Sequence, residues 1–290
     1  MTTLTQLQLD QSDVNCGMSY IFLLDNRHFF IIDGGFFTPG EDKKLYEWLC
    51  AHCEGKPEID GWFFSHPHQD HIGVFINMMK NHRRDLIIQK LIFNFQHMEL
   101  PNTCEGWEIK SNDLATIRKF YDTLDEYCID IPIITPHTGD LLEISELTIH
   151  VLYTHEDLNE PATINDQSTV IRTDICGQRI LFPGDIGEKG SEILLHAREQ
   201  LKSDIVQVAH HGFNGATTEF YEAVDAKVAL WPTPDYCISD LRKRDPNCYL
   251  LDRSKVKEHI FSGYGTRDLI LPYLSAEVNK KITSSSFLFR

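Results

Sequence analysis

The densest chemistry in the chain is the run Ser65-His66-Pro67-His68-Gln69-Asp70-His71. Four potential metal ligands, His66, His68, Asp70 and His71, fall within six residues. The run follows an apolar stretch over residues 59–65 that reads as a strand. On a loop, this spacing lets His66 and His68 point one way and Asp70 and His71 another. Imidazole and carboxylate together suit zinc, iron or manganese. The competing reading is a polar surface loop that happens to be rich in histidine. The ligand density and the place at a strand end weigh against it.

Acids and histidines recur at other strand ends. In the first half, a strand ends in Ile32-Asp33-Gly34, a helix follows, and the next strand ends in Phe64-Ser65-His66. In the second half, a strand leads into Gly184-Asp185, a helix follows, and the next strand ends in Ala209-His210. Strand ends are where α/β folds place their ligands. Two such halves facing each other pool these groups in one cleft.

The order of these residues carries a resemblance. His66-x-His68-x-Asp70-His71 resembles the HxHxDH signature of the metallo-β-lactamase superfamily. Asp33 resembles that family's first-motif aspartate, Asp185 its bridging aspartate and His210 its last metal-binding histidine. The match runs from about residue 8 to residue 272. A narrower likeness rests on Asn165-Asp166-Gln167-Ser168-Thr169-Val170, on residues 182–185 and on Ala209-His210-His211-Gly212. These are similar to the branch that contains the extracytoplasmic hydrolase domain of DNA-uptake competence proteins, which includes nucleases and phosphodiesterase-like members.

Carried over residue by residue, the resemblance implies a dinuclear site. His66 and His68 would bind the first ion, and Asp70, His71 and His210 the second. Asp185 would bridge them, and Asp33 would orient a ligand histidine by accepting its hydrogen bond. The family usually adds a third histidine at the first ion. Here the candidates are His155, which follows a strand, and Asn165, which stands at the more usual interval before Asp185. For His211 two readings stand side by side: a contact to substrate oxygen or a leaving group, and a packing role. The resemblance implies two divalent cofactor ions, zinc first, with manganese or iron as alternatives. Catalysis would then use a water activated by the two ions, with Asp70, Asp185 and His211 around it.

The elements that must position these residues alternate. Strands are expected over residues 19–24, 28–33, 59–65, 86–95, 131–135, 147–153, 168–174, 178–182, 204–209, 227–231, 259–261 and 268–273. Helices are expected over 42–53, 72–81, 114–127, 191–201 and 217–224, the third of them capped by Asp113. Residues 99–113 read as a loop and 232–246 as a loop or a short helix, and both shape substrate choice. With no linker or low-complexity run, the pattern predicts one domain over 1–290: an α/β, αββα sandwich of two mixed sheets flanked by helices.

Composition narrows the partners. The 290 residues carry 27 Lys+Arg against 43 Asp+Glu, a net charge of −16. That argues against extended nucleic acid, whose binding gains from neutralising phosphates with Lys and Arg, and against anionic membranes. No apolar stretch reaches the roughly 20 residues of a membrane span, and the first residues lack a basic signal region, so a cytoplasmic location is expected. Two divalent ions carry four positive charges, and Asp70 and Asp185 return two negative ones. The pocket would therefore be locally cationic and take a small anionic substrate.

The eight cysteines are scattered and read as free thiols, with Cys50 and Cys53 forming a CxxC on an amphipathic helix. His28, His82, His150, His196 and His259 stand apart from clustered acids in the sequence and read as packed or surface residues, while His97 sits at a strand end. Arg242-Lys243-Arg244, flanked by Asp240 and Asp245, reads as a solvated loop. The function expected is a metal-dependent hydrolase acting on a small phosphodiester or phosphoester. The alternatives are a thioester, lactone or amide hydrolase on the same ions, a di-iron oxidoreductase, and a non-catalytic binding module.

Overall fold

The computed structural model describes residues 1–8, 16–95, 111–159 and 163–274. The first part of the chain lays down β1 (Thr3–Gln6), β2 (Ser19–Leu23), β3 (Phe29–Asp33), β4 (Glu58–Phe63), β5 (Ile87–Ile88), β6 (Leu91–Ile92) and β7 (Ile133–Ile134). Helices α1 (Glu41–Ala51), α2 (Gln69–His82) and α3 (Ser111–Tyr127) connect the later strands. The second part adds β8 (Leu141–Ile144), β9 (Leu147–Tyr153), β10 (Val170–Ile175), β11 (Gln178–Phe182), β12 (Ile205–Gln207), β13 (Val228–Trp231), β14 (Glu258–Phe261) and β15 (Arg267–Ile270). Helices α4 (Glu188–Leu194) and α5 (Thr218–Val224) lie among them.

Among the described residues these strands make two mixed sheets. One runs β15-β1-β2-β3-β4-β6-β7 with β5 beside β4, and the other runs β14-β13-β12-β11-β10-β9-β8. Hairpins make the antiparallel side of each sheet. The parallel steps β3–β4, β4–β6, β11–β12 and β12–β13 need crossovers, which the helices supply.

Side-chain alternation divides the apolar residues into three layers. Tyr20, Phe22, Phe30 and Ile32 point toward the other sheet and pack with Phe182, Ile180 and Leu230. Their neighbours Ile21, Leu23, Phe29 and Ile31 face the first helices, against Leu45, Leu49, Ile72 and Phe75. Leu181, Val206 and Ala229 do the same on the far side, against Leu194, Phe220 and Val224. Strands buried on both faces read as continuous apolar runs, as residues 29–32 do. The layers are therefore helix, sheet, sheet, helix, the αββα sandwich that the alternation of elements predicts.

Several bounds differ from expectation. The strand expected over 86–95 breaks into β5 and β6, because Gln89 and Lys90 interrupt the apolar run. The helix expected over 191–201 begins earlier and turns at residues 195–197 into a tighter helix. Helix α3 starts at Ser111, so Asp113 sits inside its first turn instead of capping it. Residues 235–238 and 241–243, within the stretch read as loop or a short helix, form short helical turns. Most of the expected loop over 99–113, with Cys104 and Trp107, and His97 before it lie outside the described residues. Among the described residues no helix is long and apolar enough to cross a membrane.

Candidate metal centre

The site lies where β3, β4, β11 and β12 end, at the seam between the sheets. Strand β4 delivers Ser65 and His66, and the extended backbone of His68 (φ −74°, ψ 151°) leads into α2. Asp70 and His71 stand in the first turn of that helix, where a carboxylate is favoured by the helix dipole. The helix is pressed onto the β3–α1 connection at Gly73. A Cβ there would lie 2.6 Å from the Phe37 amide nitrogen, so only glycine lets the first turn come this close.

Asp33 sits behind the histidines. Its Oδ1 accepts from the Ser65 amide at 2.8 Å, and its Oδ2 accepts from Ser65 Oγ at 2.8 Å and from His71 Nδ1 at 2.9 Å. His71 therefore presents Nε2 to the cleft. Asp185 is set by its own clamp. Ser168 Oγ accepts from the Asp185 amide at 3.0 Å, and Gln207 bonds both the amide and the carbonyl of Gly184 at 3.0 and 2.9 Å. Asp166 takes the amides of Gly187 and Gly190 at the start of α4, so the Asn165–Ser168 motif also builds this corner.

Two groups of ligand atoms share Asp185, and within each group the atoms lie within 4.8 Å of one another. One is His66, His68 and Asp185; the other is Asp70, His71, Asp185 and His211. In the first, His66 Nε2 lies 3.0 Å from His68 Nδ1 and 3.9 Å from Asp185 Oδ2. In the second, Asp185 Oδ2 lies 3.2 Å from His71 Nε2 and 3.3 Å from His211 Nε2, and Asp70 Oδ2 lies 3.2 Å from His211 Nε2.

The sequence reading put His210 in this second group. The structure puts His211 there. Strand β12 stops at Gln207, and the chain turns left-handed at His210 (φ 48°), His211 (φ 54°) and Gly212 (φ 79°). Strand alternation no longer applies, because the turn begins at His210 itself. His211 Nδ1 donates to the Pro232 carbonyl at 2.8 Å, which aims Nε2 inward. His210 points to the cleft wall, with Nδ1 donating to the Asn214 carbonyl at 2.9 Å and Nε2 3.3 Å from Asn165 Nδ2.

The two candidates for a third ligand at the first ion also separate. His155 lies outside both groups, with Nε2 3.2 Å from Asn94 Oδ1. Asn165 lines the same cleft of about 660 Å³ as His68, Asp70, Asp185 and His210, and its Oδ1 is buried with no hydrogen bond among the described residues. Of the basic run, Arg242 pairs with Asp252 and Lys243 with Asp240, as a solvated loop does. Arg244 reaches Asn214 Oδ1 at 3.2 Å, next to the carbonyl that holds His210.

The electrostatics fit cation binding. Burial pushes His66 and His68 below the ordinary imidazole range, so their lone pairs are available. Burial also opposes charge on His71, but Asp185, Asp33 and Asp70 outweigh it and hold the ring up to about 10. The Asp185 and Asp70 carboxylates likewise hold His211 well above its usual value against the effect of burial. Burial works against charge on Asp70 and Asp185 too, yet the neighbouring His71 and His211 keep both carboxyls below the usual range. The carboxylates thus demand positive charge at this point. Among the described residues no hydrogen bond reaches His71 Nε2, His211 Nε2 or Asp185 Oδ1, although all three are buried. Buried polar atoms are rarely left unpaired, and His71 Nε2 and His211 Nε2, both within 3.3 Å of Asp185 Oδ2, fit a bound metal ion. The His/Asp clusters thus form a site able to coordinate two metal ions.

Ser65, Ser168 and Gln207, which hold the ligand loops, went unassigned in the sequence reading. Ser65 and Ser168 stood in quoted motifs without a role of their own; hydroxyl and amide residues before strand ends are otherwise too common to single out. The CxxC cysteines, Cys50 and Cys53, are free, as are Cys16, Cys128, Cys176, Cys237 and Cys248. His28, read as isolated from acids, lies against Glu58 and Asp60, because β3 and β4 pair side by side.

No family model matches the chain. It is 26% identical over 195 residues to ComE operon protein 3 of Bacillus subtilis (strain 168), covering 67% of this chain and 22% of that protein. The chain thus spans about a fifth of that relative. Among solved structures, the metallo-β-lactamase-fold protein YhfI of Bacillus subtilis matches with a TM-score of 0.56 at 13% identity, over 92% of this chain and 99% of that one. CmlA, a diiron β-hydroxylase from Streptomyces venezuelae, matches with a TM-score of 0.54 at 12% identity, over 93% of this chain and 54% of that one. With the two sheets, the helix cover and the His/Asp clusters at the strand ends, these likenesses make the chain a metallo-β-lactamase-fold protein with a distant homologue in ComE operon protein 3.

Proposed function

We propose that this chain is a single-domain hydrolase that uses two divalent ions to cleave a small phosphodiester. One observation carries the reading: two His/Asp groups share Asp185, and in the second of them His71 Nε2 and His211 Nε2 are buried and, among the described residues, without a hydrogen bond. His66, His68 and Asp185 would hold the first ion, with Asn165 on its open side. Asp70, His71, His211 and Asp185 would hold the second. Zinc suits this donor set best, with manganese and iron next. Bound there, two ions would supply an activated water and positive charge opposite the scissile group.

The chain's own residues do the rest. Asp33 and the Pro232 carbonyl fix which nitrogen His71 and His211 present. His210, displaced from the ligand set, faces the cleft beside Asn165 and is placed to contact a substrate oxygen. The role of substrate contact weighed for His211 therefore passes to His210. Support for a phosphodiester comes from the motifs similar to the competence-protein branch, and the likeness to ComE operon protein 3 agrees with that branch. It also comes from charge: a singly charged phosphodiester binds where two ions outweigh two carboxylates. The net charge of −16 repels a long polyanion beyond the pocket.

A thioester, lactone or amide hydrolase is the second reading on the same residues. The likeness to CmlA keeps a di-iron oxidoreductase as a third. The test compares an activated phosphodiester, a plasmid, a β-lactam and an acyl thioester with manganese, zinc and iron. The small phosphodiester should be cleaved best, and His66→Ala should abolish the activity. Turnover of the lactam or thioester alone would overturn the phosphodiester reading.

A further inference from the structure

A second cluster of ligand-type side chains lies at the opposite ends of β3 and β4 from the centre described above. His28 immediately precedes β3, and Glu58 and Asp60 open β4. Asp33 and His66 stand at the other ends of the same strands. At the rise of a β-strand, the two places are roughly 15–20 Å apart.

The three side chains form one of the groups able to hold an ion. Asp60 Oδ1 faces His28 Nδ1 at 2.8 Å, and Asp60 Oδ2 accepts from Asn26 Nδ2 at 3.1 Å and from Ser145 Oγ. These donors help hold the Asp60 carboxyl below its usual range against the effect of burial. An ionised carboxylate can only accept, so His28 Nδ1 carries the hydrogen and Nε2 is the nitrogen left for a ligand bond. Opposite that nitrogen, at 3.3 Å, is Glu58 Oε2. Glu58 is fixed as well, because its Oε1 accepts from Gln89 Nε2 at 2.7 Å.

Two ligand-type atoms, His28 Nε2 and Glu58 Oε2, are thus held facing each other. A charge-assisted N–H···O bond between them would close to about 2.7–2.9 Å. The observed separation is instead that of two ligands on one tetrahedral ion. Metal–nitrogen and metal–oxygen bonds of about 2.0–2.2 Å place such ligands about 3.3–3.5 Å apart. An Asp behind a ligating His, holding its other nitrogen, is also the common support of a zinc-bound imidazole. Beside the pair lies a cleft of about 560 Å³, with His52 and Cys53 on its other wall. His52 Nδ1 donates to the Trp48 carbonyl, which leaves Nε2 as a potential ligand. Arg27 and Lys56 also line the cleft, and both donate to backbone carbonyls, of His52 and Arg84.

We propose that His28 Nε2 and Glu58 Oε2 bind a further divalent ion of zinc's type, with Asp60 orienting His28 and the remaining positions open to the cleft. The ion has no part in hydrolysis. It ties β3 to β4 and, through Asp60 and Ser145, to the β8–β9 hairpin of the other sheet. The site is independent of the dinuclear reading, since it shares no residue with it.

The test counts zinc per chain after metal stripping, reloading with zinc and desalting. It uses the full chain, the Asp185→Asn variant, and each combined with His28→Ala or Glu58→Gln. Either change should remove one ion per chain, in both backgrounds. Zinc should raise the melting temperature of Asp185→Asn, and His28→Ala should cancel that rise. If His28→Ala fails to fold, Glu58→Gln gives the same reading with little change of shape. Equal zinc counts with and without Glu58→Gln in both backgrounds would overturn the proposal and leave His28 as a plain ion-pair residue. A full chain that holds a single ion, lost in Glu58→Gln, would uphold this site and overturn the dinuclear one.

Discussion

The Asp33 carboxylate accepts from His71 Nδ1 at 2.9 Å, and this bond decides which nitrogen of His71 faces the cleft. Asp33 is fully buried and makes no approach to the cleft itself, so it acts through the ring it holds.

Asp33→Ala should therefore weaken binding of the second ion. Loss of a group that orients a ligand histidine costs about 10–100-fold in metal affinity. A competition titration with a chromophoric chelator reads this directly. Unchanged affinity would show that packing alone orients His71.

His210 and His211 should separate cleanly. His211→Ala removes a member of the second ligand group, so zinc content should fall by about one ion per chain. His210→Ala should leave zinc content unchanged and lower turnover of the substrate, with KM rising more than kcat falls. Elemental analysis beside steady-state kinetics distinguishes the two. Loss of an ion in His210→Ala would reverse the assignment.

Asn165 and His155 give a similar contrast. Asn165→Ala should lower affinity at the first ion, because its unpaired Oδ1 is removed from the cleft wall. His155→Ala should leave both ions bound, since His155 is engaged with Asn94. Equal metal loss in both variants would mean that His155 swings inward when metal is present.

The metal-free protein should lose stability as pH rises. His71 is raised to about 10 in the fold, against an ordinary value of ~6.5. A group raised on folding contributes stability that is fully present below its unfolded value and lost as pH climbs through the folded one. In chelator, the melting temperature should fall between pH 6.5 and 10. With zinc the fall should be smaller, because the ions replace those protons between the carboxylates. A flat profile in chelator would show that His71 is neutral in the empty site.

The HxHxDH run was readable from the chain because its meaning is local, and Asp33 and Asp185 were readable through their places at strand ends and the resemblance that the run carries. Ligands two or three residues apart on a loop stay close in space whatever the rest of the chain does. The strand over residues 19–24 was readable as an apolar run, but its division between two cores, Tyr20 and Phe22 on one side and Ile21 and Leu23 on the other, comes from the packing of the sheets. The choice between His210 and His211 was not local. It depends on a left-handed turn held by the Pro232 carbonyl, by Thr233 Oγ1 on the His211 carbonyl and by Asn247 on the Gly212 carbonyl. These partners come from 21 to 35 residues further along. Periodicity says that neighbours alternate, but not where the strand stops. The same holds for His28, whose acids stand 30 and 32 positions away and reach it only because β3 and β4 pair in parallel register. Spacing along the chain fixes chemistry within a loop; contact between distant strands fixes which atoms face one another, and only packing of the whole sandwich supplies it.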